Sequence, residues 1–100
     1  MHEAITTIKL SKGAVEILNM LKVHPRQPYE EVILKFISGY RERKKPVRLP
    51  PASGVITTIK LRKRTAALLN NLKIHPRQSY EEVVLKIIYS NEEARKKIGE

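Results

Sequence analysis

Cysteine and tryptophan are absent from the 100 residues, and only five residues are aromatic. Without cysteine, neither a disulfide nor a thiolate metal site can form. No apolar run approaches the roughly 20 residues that a helix needs to span a bilayer. The sequence therefore predicts a fold that is held together by hydrophobic packing and that has no membrane span.

The chain also lacks the side-chain groupings of enzymes. It has three histidines, no clustered carboxylates to complete a metal site, and neither a P-loop nor a dinucleotide fingerprint. The glutamate pairs at 30–31 and 81–82 suit the positive end of a helix. His24 and His75, each before a proline, suit packing or capping at a helix end. We expect no catalytic residue, metal, cofactor or small-molecule substrate.

Positive charge is what the chain has in excess. Twenty lysines and arginines face ten acidic residues, which gives a net charge of +10. Residues 5–38 carry +2, residues 39–55 carry +4 and residues 56–89 carry +5. Because the charge is spread over these three segments, a polyanion is the expected partner. Residues 1–4 lack the basic segment of a signal peptide, so we expect a location in the cytoplasm or nucleoid.

The sequence repeats itself. Residues 5–38 read ITTIKLSKGAVEILNMLKVHPRQPYEEVILKFIS, and residues 56–89 read ITTIKLRKRTAALLNNLKIHPRQSYEEVVLKIIY, with 22 of 34 positions identical at an offset of 51. A unit this short buries little apolar surface alone, and its copy can supply the missing partner. We expect units at 1–38 and 56–89, joined by a basic proline-containing linker at 39–55. A polar tail or helix extension at 90–100 follows, and the two units together form one domain.

Each repeat opens with a strand signal, ITTIKL, at residues 5–10 and 56–61. Isoleucine and threonine suit a pleated surface. Because side chains alternate, Thr6, Ile8 and Leu10 share the expected core face, and the opposite face is left to residues 5, 7 and 9.

Two amphipathic helices follow in each repeat. Their apolar residues recur at helical spacing, and in the first copy these are Ala14, Ile17, Leu18 and Leu21, then Tyr29, Val32, Ile33, Phe36 and Ile37. Pro25 and Pro76 should end the first helix of each copy.

Side chains that could cap the helices differ between the copies. Ser11 is the expected cap of the first helix, whereas Arg62 in its place removes that cap. Ser79 has capping-box spacing. Gln27 is expected to cap its counterpart, with Pro28 as the first helical residue.

A lone strand leaves its backbone groups unpaired. We therefore predict a mainly α fold with a two-stranded antiparallel β-ribbon, in which two strands and four helices are arranged about a pseudo-two-fold axis. The 17-residue linker reaches on the order of 55 Å. That is enough for pairing within one chain, and it also permits exchange between chains in a swapped dimer.

The segments ITTIKLSK with HPRQPYEEVILKFI, and ITTIKLRK with HPRQSYEEVVLKII, resemble the ribbon-helix-helix family of DNA-binding proteins, the Arc and methionine-repressor type. The resemblance covers both repeats. The family usually has one unit per chain and dimerises, and the tandem arrangement of this chain departs from that pattern. It is similar to the fused form found among archaeal and archaeal-virus transcription regulators.

The resemblance implies that the ribbon enters the DNA major groove and that its outward residues touch base edges. The matching residues are Ile5, Thr7, Lys9, Ile56, Thr58 and Lys60. Lysine can donate to guanine, and threonine can bond a base edge or touch the thymine methyl. The isoleucines are the weakest candidates because they can contact only methyls and sugars.

The family also binds phosphate at the start of the second helix, where amides and the helix dipole favour an anion. The residues that we expect to contact phosphate are Lys12, Arg26, Gln27, Tyr29, Lys63, Arg64, Arg77, Gln78 and Ser79. The basic run at 41–48 can lie along phosphate or be a solvated connector.

The leading interpretation is a sequence-specific regulator that binds double-stranded operator DNA, with several chains associating cooperatively along it. Two alternatives stay open. One is an architectural protein that coats DNA without base discrimination. The other is a protein-interaction module like an antitoxin, for which the tail at 90–100 is short.

Overall fold

The computed structural model describes residues 4–40, 49, 54–74 and 76–99. In chain order, its elements are β1 (Ile5–Ser11), α1 (Lys12–Leu21), α2 (Tyr29–Ser38), β2 (Ile56–Arg62), α3 (Lys63–Asn71), α4 (Tyr80–Tyr89) and α5 (Glu92–Ile98). The predicted mainly helical fold with a two-stranded antiparallel sheet is confirmed. The prediction of four helices is wrong, since the described residues form five. The basic run of the linker at 41–48 and His75 lie outside the described residues.

The two strands pair antiparallel within the chain, with Ile8 opposite Ile59. These two isoleucines occupy the same position of the repeat. Backbone bonds extend the pairing at both ends: the Lys12 N–H donates to the Val55 carbonyl at 2.8 Å, and the Lys63 N–H donates to the Ala4 carbonyl at 2.9 Å. Each repeat thus supplies the hydrogen-bonding partner that the other strand requires.

One face of the ribbon packs against the helices and forms part of the hydrophobic core. Ile8, Leu10 and their copies Ile59 and Leu61 are buried. The two threonines predicted on this face do not join them, because Thr6 is half-buried and Thr57 is exposed. The buried part of the face is therefore the isoleucine–leucine pair of each strand.

Beneath the ribbon lie the apolar stripes of the helices. The apolar residues with no exposed surface are Leu18, Ile33, Leu69, Val84 and Ile88. Each of α1 to α4 contributes at least one of them, so the four helices that the repeats supply share a single core.

The caps at the helix starts agree with those predicted from the sequence, except at α2. The Ser11 hydroxyl accepts from the Ala14 N–H at 3.3 Å, Arg62 provides no side-chain cap, and the Ser79 hydroxyl accepts from the Glu82 N–H at 3.2 Å. The predicted Gln27 cap is wrong. Helix α2 begins at Tyr29 after Pro28, without a side-chain cap.

Helices α1 and α3 end earlier than the prolines require. They stop at Leu21 and Asn71, so Pro25 and Pro76 belong to the following turn.

The C-terminal segment forms α5, a separate helix instead of an extension of α4. The chain leaves α4 at Ser90, and the Asn91 side-chain oxygen caps the new helix by accepting from the Ala94 N–H at 3.0 Å. Ala94 is buried, and α5 packs on α1 and α4. Tyr89 is buried too, whereas its repeat-one counterpart, Ser38, is exposed. Only the second repeat carries this additional helix among the described residues.

Two neighbouring leucines of α3 test the core. Leu69 is 0% exposed and Leu68 is 42% exposed. We expect Leu69→Ala to lower the free energy of unfolding by about 2–5 kcal/mol, because it leaves a cavity. Leu68→Ala, the matched control, should cost about 0.5 kcal/mol or less. Urea unfolding followed by circular dichroism measures both. Equal losses would show that α3 does not bury Leu69.

Candidate nucleic-acid interface

The outer face of the ribbon carries a short pattern of threonine and lysine. Thr7 lies opposite Lys60, and Lys9 lies opposite Thr58. All four side chains are exposed. At the ends of this pattern, Ile5 is 57% exposed and Ile56 is 62% exposed. The structure thus brings all six predicted base-contacting residues together on one solvent-facing surface.

This surface has the size and chemistry to read a base-pair edge. Two strands about 4.8 Å apart fit a major groove about 12 Å wide. The ammonium groups of Lys9 and Lys60 donate hydrogen bonds, whereas threonine hydroxyls both donate and accept. Cross-strand pairing alternates the two types, so each lysine has a hydroxyl directly across the ribbon.

A lysine lies over a tyrosine ring at the start of the second helix in each repeat. The Lys22 Nζ is 4.0 Å from the Tyr29 ring centroid, and the Lys73 Nζ is 4.3 Å from the Tyr80 ring centroid. Such contacts hold a cation near the ring. These two lysines were absent from the predicted site. Their identity in both copies was the signal that could have found them.

The loop before each of these helices is shaped by a glutamine. The Gln27 side-chain oxygen accepts from the Val23 N–H at 2.7 Å, and the Gln78 side-chain oxygen accepts from the Ile74 N–H at 2.8 Å. Gln78 is buried. Both glutamines, predicted to contact phosphate, thus direct their side-chain oxygens into the loop.

The other predicted phosphate-contacting residues are accessible. Tyr29 is half-buried, and the remaining six are exposed: Lys12, Arg26, Lys63, Arg64, Arg77 and Ser79. The start of β1 and the start of α4 border one open groove, which Thr7, Lys63, Asn70 and Tyr80 help to line. The groove therefore connects the outer face of the ribbon to the start of α4, where phosphate contacts are predicted.

The first glutamate of each pair reaches the other repeat. The Glu30 carboxylate accepts from the Arg62 N–H at 2.9 Å and from the Thr65 hydroxyl at 2.6 Å. The buried Glu81 accepts from the Ser11 N–H at 2.5 Å. From sequence alone these carboxylates are expected at the starts of their own helices, and their contacts to the opposite repeat were not predicted. Both glutamates lie at the junction between a strand and the first helix of the opposite repeat.

The environment of Glu30 lowers its pKa. Burial by itself raises the pKa of this carboxyl group. The hydrogen bonds from Thr65 and from the Arg62 backbone, together with the Arg62 and Arg64 charges, outweigh burial and bring the pKa below its usual 4.5. Glu30 is therefore held ionised by groups that belong to the second repeat.

Comparison of the chain with protein-family models, with curated proteins and with solved structures gives no match. Within the described ranges, no helix is long and apolar enough to cross a membrane. No group of three or more metal-ligating side chains occurs in that same part of the chain.

The Glu30 contact gives a pH dependence that can be measured. A lowered folded-state pKa contributes stability that is complete above the unfolded value near 4.5 and is lost as the pH falls through the folded pKa. We expect wild type to be more stable than Glu30→Gln at neutral pH, with a gap that narrows below about pH 4.5.

The exposed neighbour supplies the control, since Glu31→Gln removes the same charge without the contact to the second repeat. Urea unfolding at about pH 7 and about pH 3 measures the gap. A gap that stays constant over this range would contradict the role of Glu30.

Proposed function

We propose that this protein is a sequence-specific regulator that binds double-stranded DNA by inserting its β-ribbon into the major groove, in the manner of ribbon-helix-helix proteins. The observation that carries the proposal is the outer face of the ribbon. Threonine and lysine are exposed there in the same pattern on both strands, although the protein core does not require them. Side chains of these types recognise base edges.

The two repeats are arranged about a pseudo-two-fold axis that passes through the Ile8–Ile59 pair. Three observations support this arrangement. Ile8 pairs with its own copy, the backbone bonds from Lys12 and Lys63 are copies of each other, and both repeats place a lysine over a tyrosine ring. Such an axis presents two matching half-sites to the two strands of a duplex.

Phosphate groups flanking the groove are bound at the starts of α2 and α4. Arg26 and Arg77 are exposed there, beside amides that have no partner within the helix. Lys22 and Lys73 add a cation at each of these ends. These contacts fix the register of the protein on DNA, while the ribbon supplies sequence discrimination.

The antitoxin-like alternative is weakened by α5. A partner-binding arm would have to be available, whereas residues 92–98 form a helix that packs on α1 and α4 and buries Ala94. The architectural alternative rests on the net charge of +10 and predicts binding without a preferred sequence. Cooperative association of several chains along the operator remains part of the proposal, since linked sites raise the effective concentration.

Selection of duplexes from a random pool, with excess non-specific competitor, tests base reading. We expect wild type to enrich a short motif. Lys9→Ala combined with Lys60→Ala should lose that motif and bind the selected duplex at least roughly tenfold more weakly, because each good base contact is worth about 1–3 kcal/mol.

The control for this selection is Lys96→Ala combined with Lys97→Ala, which removes the same charge from exposed positions of α5. It should still enrich the motif. Binding by wild type without an enriched motif would make this an architectural protein, and absence of binding would end the proposal.

The salt dependence of binding distinguishes the starts of α1 and α3. The sequence places Lys63 and Arg64 at the start of α3, whereas the start of α1 has Lys12 and Gly13. Each phosphate contact contributes about 0.9 to the slope of log affinity against log salt. We expect Lys63→Ala with Arg64→Ala to flatten the slope more than Lys12→Ala. Fluorescence anisotropy at several salt concentrations measures it, and equal changes would contradict this asymmetry.

A further inference from the structure

The two ends of the ribbon's outer face are different. Arg62 lies opposite Ile5 at one end, and Ser11 lies opposite Ile56 at the other. Arg62 and Ser11 occupy the same position of the repeat. The Arg62 side chain is 44% exposed, whereas Ser11 is 1% exposed. One end of the ribbon therefore has an accessible cationic side chain, whereas the serine at the other end is buried.

The remaining outward residues of the two strands are identical. Ile5, Thr7 and Lys9 repeat as Ile56, Thr58 and Lys60. If the ribbon carried only these six, turning the protein end for end on DNA would present the same groups to the bases. Phosphates occur on both sides of any site, so contacts to them carry no direction in sequence. The position shared by Arg62 and Ser11 is where the base-facing surface can distinguish the two orientations.

Arg62 is held in place by a carboxylate that is itself fixed. The Arg62 Nε lies 3.5 Å from Glu30 Oε1. The other oxygen of that carboxylate accepts from the Arg62 N–H and the Thr65 hydroxyl. At the opposite end, Glu81 accepts from the Ser11 N–H, and Ala14 occupies the position that Thr65 has in its repeat. The contacts that orient a guanidinium are thus built at one end of the ribbon.

The distance along the strand places the guanidinium relative to the bases. Arg62 is two residues beyond Lys60 in β2, so strand alternation assigns both to one face, at a separation of roughly 6.6 Å along the strand. Successive base pairs are about 3.4 Å apart. Arg62 therefore reaches about two base pairs outward from the base pair that Lys60 faces.

We propose that Arg62 is a specificity-determining residue that contacts a guanine edge on one side of the site, so that the protein binds a non-palindromic operator in a single orientation. Arginine donates in a bidentate manner to guanine O6 and N7, the commonest specific contact in the major groove. Glu30 is the positioning residue for this guanidinium. The inference rests on the proposed function, because it requires the ribbon to lie in the groove.

The absence of cysteine makes orientation directly measurable. Asn71→Cys places one thiol at the exposed end of α3, and in the proposed complex an iron chelate attached there cleaves the DNA nearest to the second repeat. On the selected duplex, we expect wild type with this label to cleave one flank at least roughly tenfold more than the other, given about 1–3 kcal/mol per base contact. Cleavage of both flanks alike by this labelled protein would overturn the inference.

Substitutions at residue 62 provide the test. With the same label, the Arg62→Ala variant should cleave both flanks about equally. The Arg62→Lys variant keeps the charge but lacks the planar fork of arginine, so it should lose most of the preference for one flank. Glu30→Gln should reduce it. Lys63→Ala, the matched control, removes a neighbouring charge and should weaken binding while the preference remains. Replacing the contacted guanine in the duplex should abolish the preference of wild type and leave Arg62→Ala unchanged.

The outcomes separate the two proposals. If wild type neither binds duplex DNA nor enriches a motif, the proposed function fails. If wild type binds its motif in one orientation and Arg62→Ala keeps that orientation, the inference about Arg62 is wrong while the proposed function stands. A variant that unfolds is recognised by circular dichroism, and Arg62→Lys, which preserves the charge beside Glu30, then decides the question.

Discussion

The backbone hydrogen bonds between β1 and β2 are the constraint on which the other features of the molecule depend. Neither strand has another partner in the two-stranded sheet, so each repeat requires the other. The register also decides which side chains face outward. A slip of one residue would turn Ile8 towards solvent and Lys9 towards the core. The pairing of Ile8 with Ile59 therefore determines both the buried apolar face of the ribbon and its exposed threonine–lysine face.

Side-chain hydrogen bonds also join the two repeats. Glu30 lies in the first repeat and accepts from Arg62 and Thr65 of the second, and Glu81 lies in the second and accepts from Ser11 of the first. Both carboxylates cross at the junction between a strand and its following helix. The outer face of the ribbon and the starts of α2 and α4 are consequently held relative to each other by contacts that neither repeat could make alone.

Much of this organisation was predictable because it repeats. Alternation gave the buried Ile8 and Leu10, helical spacing gave Leu18 and Ile33, and capping chemistry gave Ser11 and Ser79. Helix α5 was not predictable as a separate helix, because its cap at Asn91 and its single buried residue, Ala94, lie in a polar segment. Gln27 was misassigned as a cap because a glutamine that accepts from a loop N–H has no distinctive spacing. The crossing of Glu30 to Arg62 required knowledge of how the strands pair.

The ribbon joins segments that lie far apart in the chain, since paired residues such as Ile8 and Ile59 are separated by 51 positions. Loop closure must precede the hydrogen bonds that compensate for it, which slows formation of such a sheet. During synthesis, β1 is made before β2, and its ribbon partner is not available until β2 (Ile56–Arg62) has also been made. A charged side chain on an edge strand opposes pairing with strands of other molecules. Lys9 is such a side chain on β1, and its charge opposes pairing of the first strand with other chains until β2 is available.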